Sequence, residues 1–226
     1  MFRGCSQLIA HASLHWPILD VGVPAFLRQN QMPLVQHLDP ENYRRIPWKN
    51  GRGELVVIES EGGEGWQDMG VAWHFGRTAI VEAGPFSDYT GYERLQVVTK
   101  GTGLVLIARD YEIDLRRSMH PQRYDGGTPI RTRLENGPVE VVNLIANRAR
   151  FNIDLRVGKA GTEVFCGPGR HVVYAPVGSA HVKINGRDYS LAEDHGLRMR
   201  LDAGTDIAVQ AGEVIVGSIH GKARQP

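Results

Sequence analysis

The chain has 226 residues, enough for one large all-β domain or two smaller ones. Its 26 Lys and Arg against 25 Asp and Glu leave a formal net charge of +1, which argues against a dedicated nucleic-acid-binding protein, since those carry a basic surplus or stripe. Cys5 and Cys166 stand far apart with no C-x-x-C pair. Neither a disulfide scaffold nor a structural zinc site is indicated, and a reducing, cytoplasmic setting is the default. No apolar run approaches the ~20 residues that a membrane span requires.

In residues 1–31 the apolar patches are broken by His11, His15, Pro17 and Pro24, so a signal peptide with an unbroken apolar core is not expected. This segment reads as an N-terminal extension, poorly ordered or not native, with translation starting near Met32. A strand and a turn at Asp39-Pro40 follow. The stretch 44–54 then packs Pro47, Trp48, Lys49, Asn50, Gly51 and Gly53 together. Proline fixes one backbone angle and glycine opens conformations other residues avoid, so a tight loop feeding a strand is expected, able to aim Lys49 and Asn50 into a cavity. A surface turn at Asn50-Gly51 is the plainer alternative.

From there β signals dominate. Strands are expected over Glu54–Glu59, Val71–Ala83, Glu93–Val98, Leu104–Ala108, Glu112–Leu115 and Val139–Ala146. Past a change of texture at Asn147–Arg150, compact hairpins run from Phe151–Val157 to Glu213–Ser218. Gly, Pro, Asn and Asp separate them, the pattern of a sandwich or barrel. Asn185-Gly186 is a two-residue hairpin signal. No segment sustains a helical period. Two stacked β units result, 32–147 and 148–226.

Within residues 84–103 the layout resembles the first motif of a cupin: a glycine, two positions two apart, then a glutamate and a strand. Metal-binding cupins place histidines at the paired positions, because imidazole suits divalent first-row metals. Here Ser87 and Tyr89 stand there, and Val139 occupies the place four before Asn143 where the second motif has a histidine. A cupin-like but metal-free barrel is the expectation, and the other histidines read as core or solvated residues.

Pro47-Trp48-Lys49-Asn50-Gly51-Arg52-Gly53, Trp73, Gly84-Pro85-Phe86-Ser87, Gly91, Glu93-Arg94, Tyr124-Asp125-Gly126, Gly137-Pro138 and Asn143-Leu144 together resemble the HutD/Ves family. The resemblance runs from about Leu34 to Arg150 and continues more weakly to His220. It implies two cupin-like β-barrels, a bicupin, and a role linked to histidine utilisation as a control or governor protein. It also implies a small-carboxylate ligand such as urocanate or formylglutamate, no cofactor, and, by analogy with cupins, a homodimer as a candidate assembly. Arg52 interrupts the family's glycine run, and His74 stands where an arginine commonly follows the strand tryptophan.

The chemistry is consistent with that ligand. A carboxylate taken out of water must regain hydrogen bonds and charge; arginine offers a planar fork and lysine a point charge. The candidate binding residues are Trp48, Lys49, Asn50, His74, Arg77, Phe86, Ser87, Tyr89 and Asn143, with Arg77 supplying the cation from the strand that carries His74. Each has a plainer role: Phe86 as core, Arg77 as an ion-pair partner of Glu93 or Glu82, Asn143 as a strand-end cap. The competing reading is a metal-independent cupin enzyme, an isomerase or hydrolase, in which Tyr89, Glu93 or His74 acts as acid or base.

Overall fold

A computed structural model describes residues 34–47, 53–62 and 71–223, all within one compact unit, 32–226. The readings made for residues 1–31 and for Trp48, Lys49 and Asn50 lie outside the described residues. The chain is all-β: eighteen strands and one 3-10 turn among the described residues, in four antiparallel sheets.

The six-stranded sheet runs β2 (Arg44–Pro47), β3 (Glu54–Glu61), β4 (Trp73–Ile80), β10 (Val139–Asn147), β5 (Tyr92–Lys100) and β8 (Gln122–Asp125). Facing it is a three-stranded sheet of β7 (Glu112–Leu115), β6 (Leu104–Ile107) and β9 (Arg131–Leu134). The C-terminal half builds most of a five-stranded sheet, β1 (Leu34–Leu38), β16 (Gly196–Leu201), β13 (Gly169–Tyr174), β18 (Glu213–Gly221) and β11 (Phe151–Lys159). A four-stranded sheet completes it, β12 (Thr162–Cys166), β17 (Thr205–Ala211), β14 (Ala180–Ile184) and β15 (Arg187–Leu191). The chain passes between halves at the Asn147–Arg150 turn, closed by the Arg150 amide on the Asn147 carbonyl at 3.1 Å. One strand crosses the expected boundary: β1, placed in the first unit by sequence order, pairs along its whole length with β16 of the second half.

Three apolar layers separate the four sheets. Ile80, Val98, Leu104, Leu106, Leu115 and Val141 fill the space between the three- and six-stranded sheets. Val173, Val182, Leu197, Ile207 and Val216 fill that between the five- and four-stranded sheets. The central layer joins the six- and five-stranded sheets through Val56, Phe75, Leu95, Leu144, Leu155, Tyr174 and Ile219. The central strands of the two middle sheets are thus buried on both faces, and their successive side chains, pointing opposite ways, enter different cores. Leu95 and Val97 face the central core while Val98 faces the first. This double burial is why Val139–Ala146 is an almost unbroken apolar run.

Three strands were not expected from the sequence: β2, β8 and β9, which read Arg-Arg-Ile-Pro, Gln-Arg-Tyr-Asp and Arg-Thr-Arg-Leu. All three lie at sheet edges, where one side of the backbone faces solvent and charged side chains are tolerated. Pro47 sits where a proline fits a sheet, on an edge strand. The Asn185-Gly186 hairpin forms as expected, with both residues at positive φ (48° and 76°) between Ile184 and Arg187.

A polar clasp accompanies the central core. The Arg77 Nε and Nη2 groups donate to the two Asp194 carboxylate oxygens at 2.9 and 2.7 Å, and the Tyr174 hydroxyl donates to Asp194 at 2.6 Å. The Tyr43 hydroxyl donates to the Asp194 carbonyl at 2.7 Å. Burial works to raise the Asp194 pKa, but the bonds from Arg77 and Tyr174 outweigh it and hold the carboxyl below its usual range.

Two predictions follow from this packing. A Cβ built on Gly217 would lie 2.9 Å from the Phe75 ring, which itself meets Tyr174 edge-on with centroids 5.9 Å apart. Gly217→Ala should therefore destabilise by about 1–3 kcal/mol through overpacking, and adding Phe75→Leu should recover part of that loss in urea denaturation; additive losses would show that the two sites do not compete for space. His171 is buried, with Nδ1 on Ser218 Oγ at 2.9 Å and Nε2 on the Gly167 carbonyl at 2.8 Å. Burial pushes its pKa down to about 4, against ~6.5 in an unfolded chain. Between those values the unfolded state binds more protons, so stability is complete above pH ~6.5 and falls as pH drops towards 4, by up to about 3 kcal/mol. His171→Asn should make denaturation midpoints less pH-dependent across that window; an unchanged slope would assign the effect to other groups.

Candidate functional site

The alternation of β5 and β10 defines the site. Arg94 and Gln96 leave β5 on the face opposite Leu95 and Val97, and Asn143 leaves β10 on the face opposite Val142 and Leu144. Register aligns them: Arg94 lies beside Ile145 on one side and Tyr124 on the other, and Ile145 beside His74. One step along, Gln96 lies beside Asn143, and Asn143 beside Gly76. The result is a polar floor on the six-stranded sheet, where it meets the three-stranded one. It is deeply buried: Arg94 is 6%, Asn143 4%, His74 2% and Gln96 0% exposed.

The Arg94 guanidinium sits among three aromatic rings, 4.8 Å from the Phe86 centroid and 5.2 Å from those of Tyr89 and Tyr124. Its Nη2 donates to Asn143 Oδ1 at 3.2 Å. No carboxylate pairs with it among the described residues, and its Nε has no acceptor there. Gln96 is similar: its Oε1 accepts from the Tyr124 hydroxyl at 2.8 Å, while its Nε2 has no acceptor among the described residues. Cation–π contacts offset part of the cost of burying a guanidinium. A buried donor left without an acceptor nevertheless costs about 1–3 kcal/mol, more when charged.

Backbone bonds place the aromatic residues. The Phe86 amide donates to the Ile130 carbonyl and the Tyr89 amide to the Gly126 carbonyl, both at 2.9 Å, while the Gly126 amide donates to Tyr92 at 2.9 Å. A Cβ on Gly126 would stand 2.8 Å from Tyr89, so only glycine lets the two turns approach this closely. Asp88 caps the turn through the Thr90 amide and hydroxyl, each at 2.8 Å. Burial pushes the Tyr89 hydroxyl up to about 12. Burial, and then the charges of Arg94 and Arg44, hold the His74 pKa well below its ordinary value, so the imidazole is neutral.

Of the residues singled out in the sequence, the structure brings His74, Phe86, Tyr89 and Asn143 to this floor and its rim. Ser87 is exposed. Arg77 is not with them: it leaves β4 on the side of Trp73 and Phe75 and is taken up by Asp194. The cation of the site is Arg94, which the sequence reading noted only as part of a motif. The signal was two polar residues, Arg94 and Gln96, at alternate positions of an otherwise apolar strand. Glu93, a candidate acid or base, points away as well and pairs with Arg123 at 2.5 Å, so it does not converge with His74 and Tyr89. Among the described residues no group of three or more His, Cys, Asp or Glu side chains could hold a metal ion, and no helix is long and apolar enough to cross a membrane.

The HutD family model matches residues 40–216. An uncharacterized 21.2 kDa protein in the hutC 3′ region of Pseudomonas putida is 26% identical over 157 residues, 70% of this chain and 82% of that protein. Among solved structures, HutD from Pseudomonas fluorescens is 26% identical with a TM-score of 0.70, covering 84% of this chain and all of that one. A conserved protein of unknown function from Pseudomonas aeruginosa PAO1 shares the fold, with a TM-score of 0.74, 23% identity, and coverage of 82% and 98%. YhhW and Ylba from Escherichia coli, 11% and 9% identical with TM-scores of 0.55 and 0.57, are alike in fold alone. A family match across most of the chain, on this all-β scaffold, makes the chain a member of the HutD family.

Proposed function

We propose that this protein binds a small organic carboxylate against the face of the six-stranded sheet, with Arg94 as anchor, and acts as a cytoplasmic control protein of histidine utilisation. In this reading the six- and three-stranded sheets form one cupin-like barrel and the five- and four-stranded sheets another. The observation that carries it is Arg94 itself: a buried guanidinium, ringed by aromatic side chains, with no carboxylate partner among the described residues. An incoming carboxylate supplies the missing counter-charge and an acceptor for Nε, and arginine suits it because of its fork geometry. The rings of Phe86, Tyr89 and Tyr124 give a flat apolar wall of the kind that ligand pockets combine with a few placed polar groups. Further support comes from relatives: the P. putida protein lies in the hutC 3′ region, and the P. fluorescens HutD structure was obtained in a formate condition.

Calorimetric titration with urocanate and with formylglutamate tests the reading. Saturable binding of at least one is expected, weakened by about 1.5–3 kcal/mol in Arg94→Met, the scale of a lost charge-assisted hydrogen bond. No heat at millimolar ligand from the folded wild-type protein, or equal affinity in Arg94→Met, would overturn it.

A further inference from the structure

A second cluster of arginines stands on β13 and β16, where the β1 side of the five-stranded sheet meets β3 and β4. Arg170 on β13 and Arg200 on β16 are direct cross-strand partners, and Arg198 stands two residues before Arg200 on the same face. Val172, the cross-strand partner of Arg198, belongs to the central core, which fixes that face as the one turned towards the six-stranded sheet. The three arginines line a cleft of about 330 Å³ together with Glu59, Glu61 and Trp73.

Among the described residues the charges in this cleft do not balance. Arg198 pairs with Glu59 at 3.3 Å, and its Nε donates to Gln36 Oε1 at 2.5 Å. Arg170 pairs with Glu61 at 3.2 Å, and the same carboxylate already accepts the Trp73 indole N–H at 3.0 Å. Arg200 has no ion pair among the described residues; its neighbour on β1 is Leu34. Like charges directly opposite on paired strands repel, and here both available carboxylates are engaged by other donors. One positive charge is left over among the described residues, held beside Arg170 in a recess of ligand size.

We infer that this cleft is a second anion site, in which Arg200 and Arg170 together take a compact oxyanion, the carboxylate of a small organic acid or the phosphate of a phosphate ester. Guanidinium forks suit both groups. Bound between the two arginines, the oxyanion turns their cross-strand repulsion into two attractions. Arg94 takes no part in the site: its three arginines stand on β13 and β16, and Trp73 leaves β4 on the face opposite His74.

Titrations of the full-length protein with inorganic phosphate and with succinate test this, in wild type and in Arg94→Met. Saturable, salt-sensitive binding of at least one probe is expected in the millimolar range or tighter, and it persists in Arg94→Met, from which the Arg94 site has been removed. Arg200→Ala should weaken it by about tenfold or more, the loss of one charge-assisted bond. Response to phosphate alone assigns the site to phosphate esters, and response to succinate assigns it to organic acids. Without any ligand, Arg200→Ala should melt at or above the wild-type temperature, since it removes a repulsion. Absence of saturation by either probe, or affinity unchanged in Arg200→Ala, would overturn the site. So would a melting temperature well below wild type, which would mean that Arg200 already has a stabilising partner.

Discussion

A guanidinium that is almost wholly out of water and has no carboxylate beside it among the described residues is the constraint around which the first half of this protein is arranged. A charge so placed is costly unless its surroundings replace what water supplied. Here the replacement is incomplete by design of the neighbours: three ring faces and one amide oxygen meet the cation, but nothing negative does among the described residues. The amides of Asn143 and Gln96 are in turn oriented, one by Arg94 and the other by the Tyr124 hydroxyl. The floor is therefore rigid and electropositive, which favours an anion that brings its own acceptors and costs little rearrangement on arrival.

Arg77 shows what the alternative looks like. It stands on β4 and is also substantially buried, but Asp194 occupies both ends of its fork and Tyr174 and Glu140 surround the pair. Its charge is spent inside the fold. Removing either partner of such a pair would strand the other in a poorly solvated site. Two arginines on strands of one sheet thus serve opposite ends, and the side of the sheet each one faces decides which.

That division depends on the two middle sheets being covered twice. β4, β5 and β10 send alternate residues into two different cores, so a single strand can help hold the halves together and line a site at once. The contact of Phe75 with Gly217 is an instance of the first task, and Arg94 with Phe86 of the second. His171 and Cys166 are buried within the second half, His171 on Ser218 and Gly167 and Cys166 in the core between its two sheets: burial keeps the imidazole neutral and pushes the thiol up to about 11.

The amino-acid sequence by itself determined the β class, most strands of the apolar runs and the Asn185-Gly186 hairpin, because these follow from local periodicity and from turn chemistry that neighbours in the chain dictate. Its motifs also pointed to the family and to His74, Phe86, Tyr89 and Asn143. Only the tertiary structure decided that the polar segments of β2, β8 and β9 are strands, since their pairing is supplied by partners elsewhere in the chain. It alone joined β1 to β16 and turned Arg77 towards Asp194, a residue more than a hundred positions away. And it alone made Arg94 the cation of the site, because which face of a doubly covered sheet meets which core is set by packing, not by the order of residues along a strand.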